Sequence, residues 1–217
     1  MRPLLVVLVA LALLAGCGGE DDDGSSAGGD TTTVTECTDV DAPEAREPEA
    51  AEAPAEELDA SKTYTLTFDT SCGTFIITLD PAQSPKTAAS LVALANAGYF
   101  DATIFHRVVP GFVIQGGDPT QSGGGGPGYS TVDAPASDTT YPQGTVAMAK
   151  SQVEAPGTSG SQFFVVTGDG SGLTPDYAVV GEVTEGMDTV MRIDALGVGD
   201  GPPSQPVVVN TVTVGES

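Results

Sequence analysis

The chain has 217 residues, of which 40% are hydrophobic and only 17% charged, enough for one ordinary domain plus a remainder without a core of its own. Its formal net charge of −23 and sequence pI near 4.1 exclude a protein that tracks nucleic-acid phosphates, which requires clustered Lys and Arg. Half of that acidity is local: 15 of the 30 Asp and Glu residues lie between Cys17 and Ala60, against a single Arg46.

Met1-Arg2-Pro3 precedes an apolar run from Leu4 to Leu14, followed by Ala15-Gly16-Cys17. A membrane-crossing helix needs about 20 apolar residues, so residues 1–16 are read as a secretion signal instead. Leu14-Ala15-Gly16-Cys17 resembles the bacterial lipobox, where small residues precede the cleavage point and the thiol takes a diacylglyceryl group. The resemblance implies lipidation at Cys17 and an extracytoplasmic protein held to the bacterial cell membrane only by its acyl chains. The other reading is a plain cleaved signal with an incidental cysteine.

Residues 17–60 are Gly, Ser, Thr, Ala, Pro and acid, with almost no large apolar side chains. Such a composition does not bury enough surface to offset its ordering entropy, so a disordered acidic tether is expected, spanning roughly 35 to 40 Å as a coil. Its simplest use is as a solubilising spacer. With Cys17 lipidated, Cys37 and Cys72 remain as an even pair in an oxidising compartment. Either they form a disulfide, worth on the order of 3 kcal/mol, or they are two free thiols.

The folded part is expected over residues 61–217. Tyr64-Thr65-Leu66-Thr67-Phe68 alternates, Thr70-Ser71-Cys72-Gly73 is a turn, and 74–79 is a second strand, together a hairpin. Ser84-Pro85 opens a helix carrying Ala88, Leu91, Val92 and Ala95 on one face, and Gly98 closes it. Another hairpin follows at 105–118, then a loop with Gly123-Gly124-Gly125-Gly126-Pro127-Gly128. That loop lacks the Gly-Lys-Ser/Thr of a phosphate-binding loop and is read as a surface loop. Further strands are predicted at 144–149, 162–167, 178–183 and 207–214, with a helix over 185–195 that turns Met187, Val190 and Met191 inward. About eight strands, two helices and no βαβ rhythm predict a mainly β fold: a closed eight-stranded antiparallel barrel capped by the two helices.

Elimination narrows the chemistry. His106 is the only histidine, and no Cys, His and carboxylate cluster has metal-ligand spacing, so neither a metal nor a cofactor is expected. A Ser-His-Asp triad would need His106, yet the chain has no Gly-x-Ser-x-Gly elbow and the histidine falls in a predicted strand. Arg107 and Gln115 remain. A two-residue Pro110-Gly111 loop would pair Arg107 with Ile114, but unprimed Pro-Gly turns splay such hairpins. A Pro110-Gly111-Phe112 loop instead sets Val109 against Val113 and Arg107 against Gln115. On the residues alone, Arg107 is either a surface ion-pair partner in an acidic domain or a functional cation.

Phe105-His106-Arg107-Val108-Val109-Pro110-Gly111-Phe112-Val113-Ile114-Gln115-Gly116-Gly117-Asp118 resembles the central motif of the cyclophilin family of peptidyl-prolyl cis/trans isomerases. Gly160-Ser161-Gln162-Phe163-Phe164 is similar to its second motif, and Val146-Ala147-Met148-Ala149 to the strand between them. The resemblance runs from about Lys62 to the end of the chain, and two long motifs in the right order are highly specific. It implies an enzyme that rotates X-Pro bonds, with proline-containing polypeptides as substrates. Taken with the signal segment, those substrates are expected to be extracytoplasmic proteins, and a monomer without a cofactor is expected. Arg107 matches the catalytic arginine and Gln115 the residue that orients it. Phe112, Val113, Phe164 and Leu173 match the apolar pocket for the proline ring, while Ala149, Lys150 and Gln162 match positions that meet the peptide backbone.

Some positions depart from the family pattern. Gly172 and Tyr177 stand where many members have Trp and His on the pocket rim, and Lys150 stands where Asn is usual. Val180 replaces a core Phe. Tyr177 still walls the pocket and offers a hydroxyl, whereas Gly172 removes a ring and a donor, which weakens the case for binding cyclosporin. The competing reading is a non-catalytic proline-peptide binding module or holdase on the same fold, which would need the apolar pocket but not the guanidinium.

Overall fold

The computed structural model describes residues 36–47 and 50–217. The expected signal segment, Cys17 and the first part of the tether lie outside the described residues. Strands β1 (Tyr64–Thr70) and β2 (Gly73–Leu79) form the first hairpin, with Leu66 opposite Ile77 and Phe68 opposite Phe75. Tyr64, Leu66, Phe68 and Thr70 are buried while their neighbours are not, so one face of the ribbon makes core.

Helix α1 (Pro85–Asn96) begins with Pro in its first turn and buries Ala88, Leu91, Leu94 and Ala95. Ser84 makes no capping bond, its hydroxyl donating instead to Val179 O at 2.6 Å, and a first-turn amide is satisfied from a distance, Asp133 accepting from Thr87 N at 2.7 Å. The remaining elements are β3 (Thr103–Ile104), β4 (Arg107–Val109), β5 (Val113–Gly116), β6 (Thr131–Val132), β7 (Thr145–Met148), β8 (Thr158–Ser159), β9 (Phe163–Val166), β10 (Val179–Glu185), α2 (Met187–Asp194) and β11 (Val208–Glu216).

The strand pattern predicts a closed eight-stranded barrel; the structure is a nine-stranded antiparallel sheet curled into a half-barrel, in the order β3-β11-β1-β2-β10-β7-β9-β5-β4. β6 and β8 make a separate pair. The two end strands, β3 and β4, are joined in sequence by only Phe105 and His106, which forces the sheet to curl. No ladder links them among the described residues. Two residues must carry the chain from one ladder to the other, so the ends meet through covalent chain rather than through hydrogen bonds.

Curling places β5, β7 and β9 between two cores. Val146, Met148, Phe163 and Val165 face the main cluster, where Phe163 sits edge-on to Phe100 and Phe105 with centroids 6.2 Å away. Ala147, Phe164 and Val166 face a smaller cluster on the opposite side. Burial on both faces explains why β7 and β9 read as continuous apolar runs.

Helix α2 buries Val190 and Ile193, with Met187 half-buried; Met191, predicted inward, is exposed instead. Residues 187, 190, 193 and 194 share a stripe at helical spacing, which leaves 191 outside it. Part of the stretch read as a tether is docked. Cys37 is bonded to Cys72 with S–S 2.03 Å, and Thr38 N donates to Ser71 O at 2.8 Å. Arg46 Nη2 donates to the carbonyls of Tyr99 and Asp101, both at 2.8 Å, and Ala51 N donates to Pro127 O at 3.0 Å. Composition misses this because a disulfide, backbone hydrogen bonds and one arginine hold the strap, with Leu58 packed on the core as its one large apolar contact among the described residues.

Candidate active site

The sheet register lines side chains up in rows. Arg107 faces Gln115, Gln115 faces Phe164, and Phe164 faces Ala147, one residue from each of β4, β5, β9 and β7. The next row is Val109, Val113 and Val166. Because side chains alternate along each strand, both rows project from the same face. A guanidinium and an amide thus stand at one end of an apolar surface.

That surface is the smaller cluster. Val113, Tyr141, Ala147, Phe164 and Val166 are buried in it, and Phe112, Ala149, Leu173 and Tyr177 pack on it half-buried. The expected pocket residues Phe112, Val113, Ala149, Phe164, Leu173 and Tyr177 therefore come together. Tyr141, Ala147 and Val166 complete the pocket without having been singled out in the sequence. Ala147 and Val166 were legible only as strand residues, and Tyr141 lies in a loop with no motif around it.

Phe112 occupies the turn, where its amide donates to Val109 O at 3.0 Å and its carbonyl accepts from Thr167 N at 2.9 Å. Asp194, buried in the last turn of α2, accepts from Gly111 N at 3.0 Å and from the Thr167 hydroxyl at 2.6 Å. A carboxylate satisfied in this way fixes the loop tip, and hence the pocket wall, to the helix. On the opposite wall the Tyr177 ring meets Phe164 edge-on at 5.4 Å. The Tyr141 hydroxyl donates to Tyr177 O at 2.9 Å and accepts from Tyr177 N at 3.2 Å. Burial pushes the Tyr141 phenol above its ordinary value, which keeps it a donor.

The polar end is a relay. Arg107 Nη1 donates to Gln115 Oε1 at 3.1 Å, Gln115 Nε2 to Gln162 Oε1 at 3.1 Å, and Gln162 Nε2 to Gly125 O at 3.0 Å. Each amide gives its N–H onward, so the Gln115 oxygen is committed to the cation. On its other edge Arg107 meets Asp200, whose carboxyl is held below the usual range by hydrogen bonding from the guanidinium. Lys150 turns its ammonium to the carbonyls of Ser151 and Glu154, both at 3.2 Å, and lies 5.7 Å from the Tyr177 ring centroid.

Next to the relay is an open groove of about 740 Å³, lined by Gln115, residues 123–130, Ala149, Lys150 and Gln162. The Gly-rich loop forms its wall, and Asp118 organises the loop. This buried carboxylate accepts from Thr120 N at 2.8 Å, Gly123 N at 2.7 Å and Gly125 N at 3.1 Å. Burial alone would raise its pKa; the bonds from Thr120, Gly125 and Gly123 outweigh that and hold it below the carboxylate range. A Cβ at position 125 would overlap the Asp118 carboxylate and the Thr120 side chain, so close backbone approach explains the glycine there.

His106 lies in the two-residue link between β3 and β4 rather than inside a strand, and its buried ring nitrogens make no hydrogen bond. Desolvation lowers its pKa, so the imidazole is neutral near pH 7. Gly172 is exposed, and a Cβ there would lie 3.6 Å from the Phe112 ring, an ordinary contact. The rim position has room for a side chain.

Residues 65–214 match the family model for cyclophilin-type peptidyl-prolyl cis-trans isomerases. The chain is 36% identical over 170 residues to a probable peptidyl-prolyl cis-trans isomerase A of Mycobacterium leprae, covering 69% of this chain and 91% of the relative. It is 38% identical over 132 residues to a peptidyl-prolyl cis-trans isomerase-like 1 protein of Emericella nidulans, covering 59% of this chain and 80% of the relative. Among solved structures, a cyclophilin-type isomerase of Cryptosporidium parvum superposes with a TM-score of 0.65 at 28% identity, covering 70% of this chain and 98% of that one. The same protein has also been solved in the presence of the dipeptide Ala-Pro, with a TM-score of 0.64 and 29% identity. Sequence and fold agree, and the chain belongs to the cyclophilin-type peptidyl-prolyl cis-trans isomerase family.

Proposed function

We propose that this isomerase acts on X-Pro bonds of extracytoplasmic proteins, with Arg107 stabilising the twisted imide while the proline ring rests on Phe112, Val113, Phe164, Leu173 and Tyr177. The observation that carries the reading is the row Arg107, Gln115, Phe164, which sets a cation beside an apolar floor. An X-Pro bond resists rotation because its nitrogen lone pair is conjugated with the carbonyl, a barrier of ~18 to 20 kcal/mol. As the bond twists, that lone pair localises and accepts a hydrogen bond that neither planar form offers. A guanidinium donor there favours the transition state over both ground states. Gln115 keeps the cation in place, and no step transfers a proton to the enzyme, so His106 has no chemical task. The relative solved in the presence of Ala-Pro supports a proline-peptide ligand for the pocket.

The test is an isomerisation assay on a proline tetrapeptide with wild type and Arg107→Ala. Loss of a preorganised donor costs about 10² to 10³ in rate, while peptide affinity, set by the apolar floor, changes little. A wild type that binds the peptide without speeding isomerisation would establish the binding-module reading instead.

For location, the lipobox-like Leu14-Ala15-Gly16-Cys17 supports a lipid anchor, and the Cys37–Cys72 bond fits an oxidising compartment. Cys17→Ala is expected to release the protein from membranes. Retention of that variant in the membrane fraction would rule the anchor out.

A further inference from the structure

A guanidinium has five N–H donors. In Arg107, Nε donates to Asp200 Oδ1 at 2.6 Å, Nη2 to Asp200 Oδ2 at 3.0 Å, and Nη1 to Gln115 Oε1 at 3.1 Å. Three donors are therefore committed to two acceptors on different sides of the group, and one N–H on each terminal nitrogen remains for a ligand. Two-point pairing with a carboxylate also fixes the plane of the fork, which a single contact to Gln115 does not.

The loop that carries Asp200 is built to this purpose. Val108, the neighbour of Arg107, bridges to Gly201, donating from its amide to Gly201 O at 2.8 Å. The bridge sets the next residue, Asp200, alongside β4. On either side Gly199 and Gly201 adopt φ of +151° and +158°, conformations that L side chains rarely take. As a stability device the pair would be weak, because the Asp200 side chain is 65% exposed and such ion pairs contribute little. Its consequence is geometric.

We propose that Asp200 is a positioning residue for catalysis: its carboxylate clamps the Nε and Nη2 edge of Arg107, so that the remaining donors are presented over the proline pocket before substrate arrives. This rests on the isomerase reading of Arg107 given above. A flexible arginine would have to be ordered in the transition state; a clamped one is ordered already, which raises kcat rather than substrate affinity.

The experiment is steady-state isomerisation by Asp200→Ala, Asp200→Asn, Asp200→Glu and Arg107→Ala, plus the Arg107→Ala/Asp200→Ala double variant, each checked for an unchanged thermal melt. Asp200→Ala is expected to lower kcat about tenfold with KM within about twofold, less than the 10²-fold that gross misplacement costs. Asp200→Asn, which keeps one acceptor, should be intermediate, and Asp200→Glu should restore part of the loss. In the double variant the Asp200 change should add nothing to Arg107→Ala, since its effect travels only through that side chain. Wild-type kcat in Asp200→Ala, or losses that multiply in the double variant, would overturn the proposal. If Arg107→Ala itself keeps the wild-type rate, the catalytic reading of Arg107 fails and this inference falls with it. Loss in Arg107→Ala without loss in Asp200→Ala removes the positioning role alone.

Discussion

Gln115 stands directly across the β4–β5 ladder from Arg107, and its Oε1 accepts from Nη1 at 3.1 Å. The three-residue turn Pro110-Gly111-Phe112 creates that relationship. One residue fewer in the loop would shift the register and face Arg107 with an apolar side chain.

Gln115→Leu keeps the volume but removes both the acceptor for Arg107 and the donor to Gln162. A hydrogen bond to a charged group is worth about 1.5 to 3 kcal/mol, so kcat/KM is expected to fall by one to two orders of magnitude. The proline tetrapeptide assay measures it. An unchanged rate would mean that the relay does not hold the cation.

The Cys37–Cys72 bond closes a 35-residue separation and fastens the strap to the β1–β2 turn. Loop-closure entropy predicts that Cys37→Ser/Cys72→Ser loses about 3 to 4 kcal/mol. Urea titration of oxidised wild type and the double variant reads this directly, with thiol counting as the control. A midpoint that does not move would show that the unfolded chain gains nothing from the link.

His106 gives stability a pH dependence whose sign is fixed. Its folded pKa is depressed by burial, so between the folded and unfolded values the unfolded chain binds the additional proton. Stability is complete above the unfolded value near 6.5 and declines as pH falls towards the folded value, with a slope no steeper than about 1.4 kcal/mol per pH unit. Because this is the only histidine in the chain, a decline that sets in just below about pH 6.5, above the carboxylate range, belongs to it. Denaturation midpoints across that window should flatten in His106→Gln. A slope that survives in the variant would assign the proton elsewhere.

Gly172 leaves the pocket rim without a side chain, and its surroundings have room for one. Gly172→Trp is expected to strengthen cyclosporin binding by about tenfold, equivalent to ~1.4 kcal/mol, through ring contact and an indole donor. Isothermal titration against wild type and Gly172→Ala separates the ring from the loss of glycine flexibility. Equal affinity in all three would show that the rim does not limit this ligand.

The pairing of Arg107 with Gln115 was legible because local turn chemistry and alternation determine a hairpin register. The pocket was legible by family likeness, since Phe112, Val113, Phe164 and Leu173 sit in or near motifs. Asp118 had a local signal too, an aspartate leading into a glycine-rich turn, as side chains of this type bond the backbone two residues on. Nothing local marks Asp194, which reaches Gly111 across 83 residues, or Asp200, which reaches Arg107 across 93. Both look like ordinary acids in an acidic chain.

By itself, then, the sequence determined the two helices, the longer strands and the hairpin register, because periodicity and turn residues act over a few positions. The two-residue strands β3, β6 and β8 left no such pattern, and the apolar floor was expected only through family likeness. The tertiary structure decided that the sheet is a nine-stranded half-barrel, that part of the acidic segment is docked, and that two carboxylates far along the chain hold the hairpin, Asp194 at its tip and Asp200 at Arg107. Those outcomes depend on which elements meet after the sheet curls. Long-range pairing of polar groups is set by packing geometry and leaves no periodic trace in the chain.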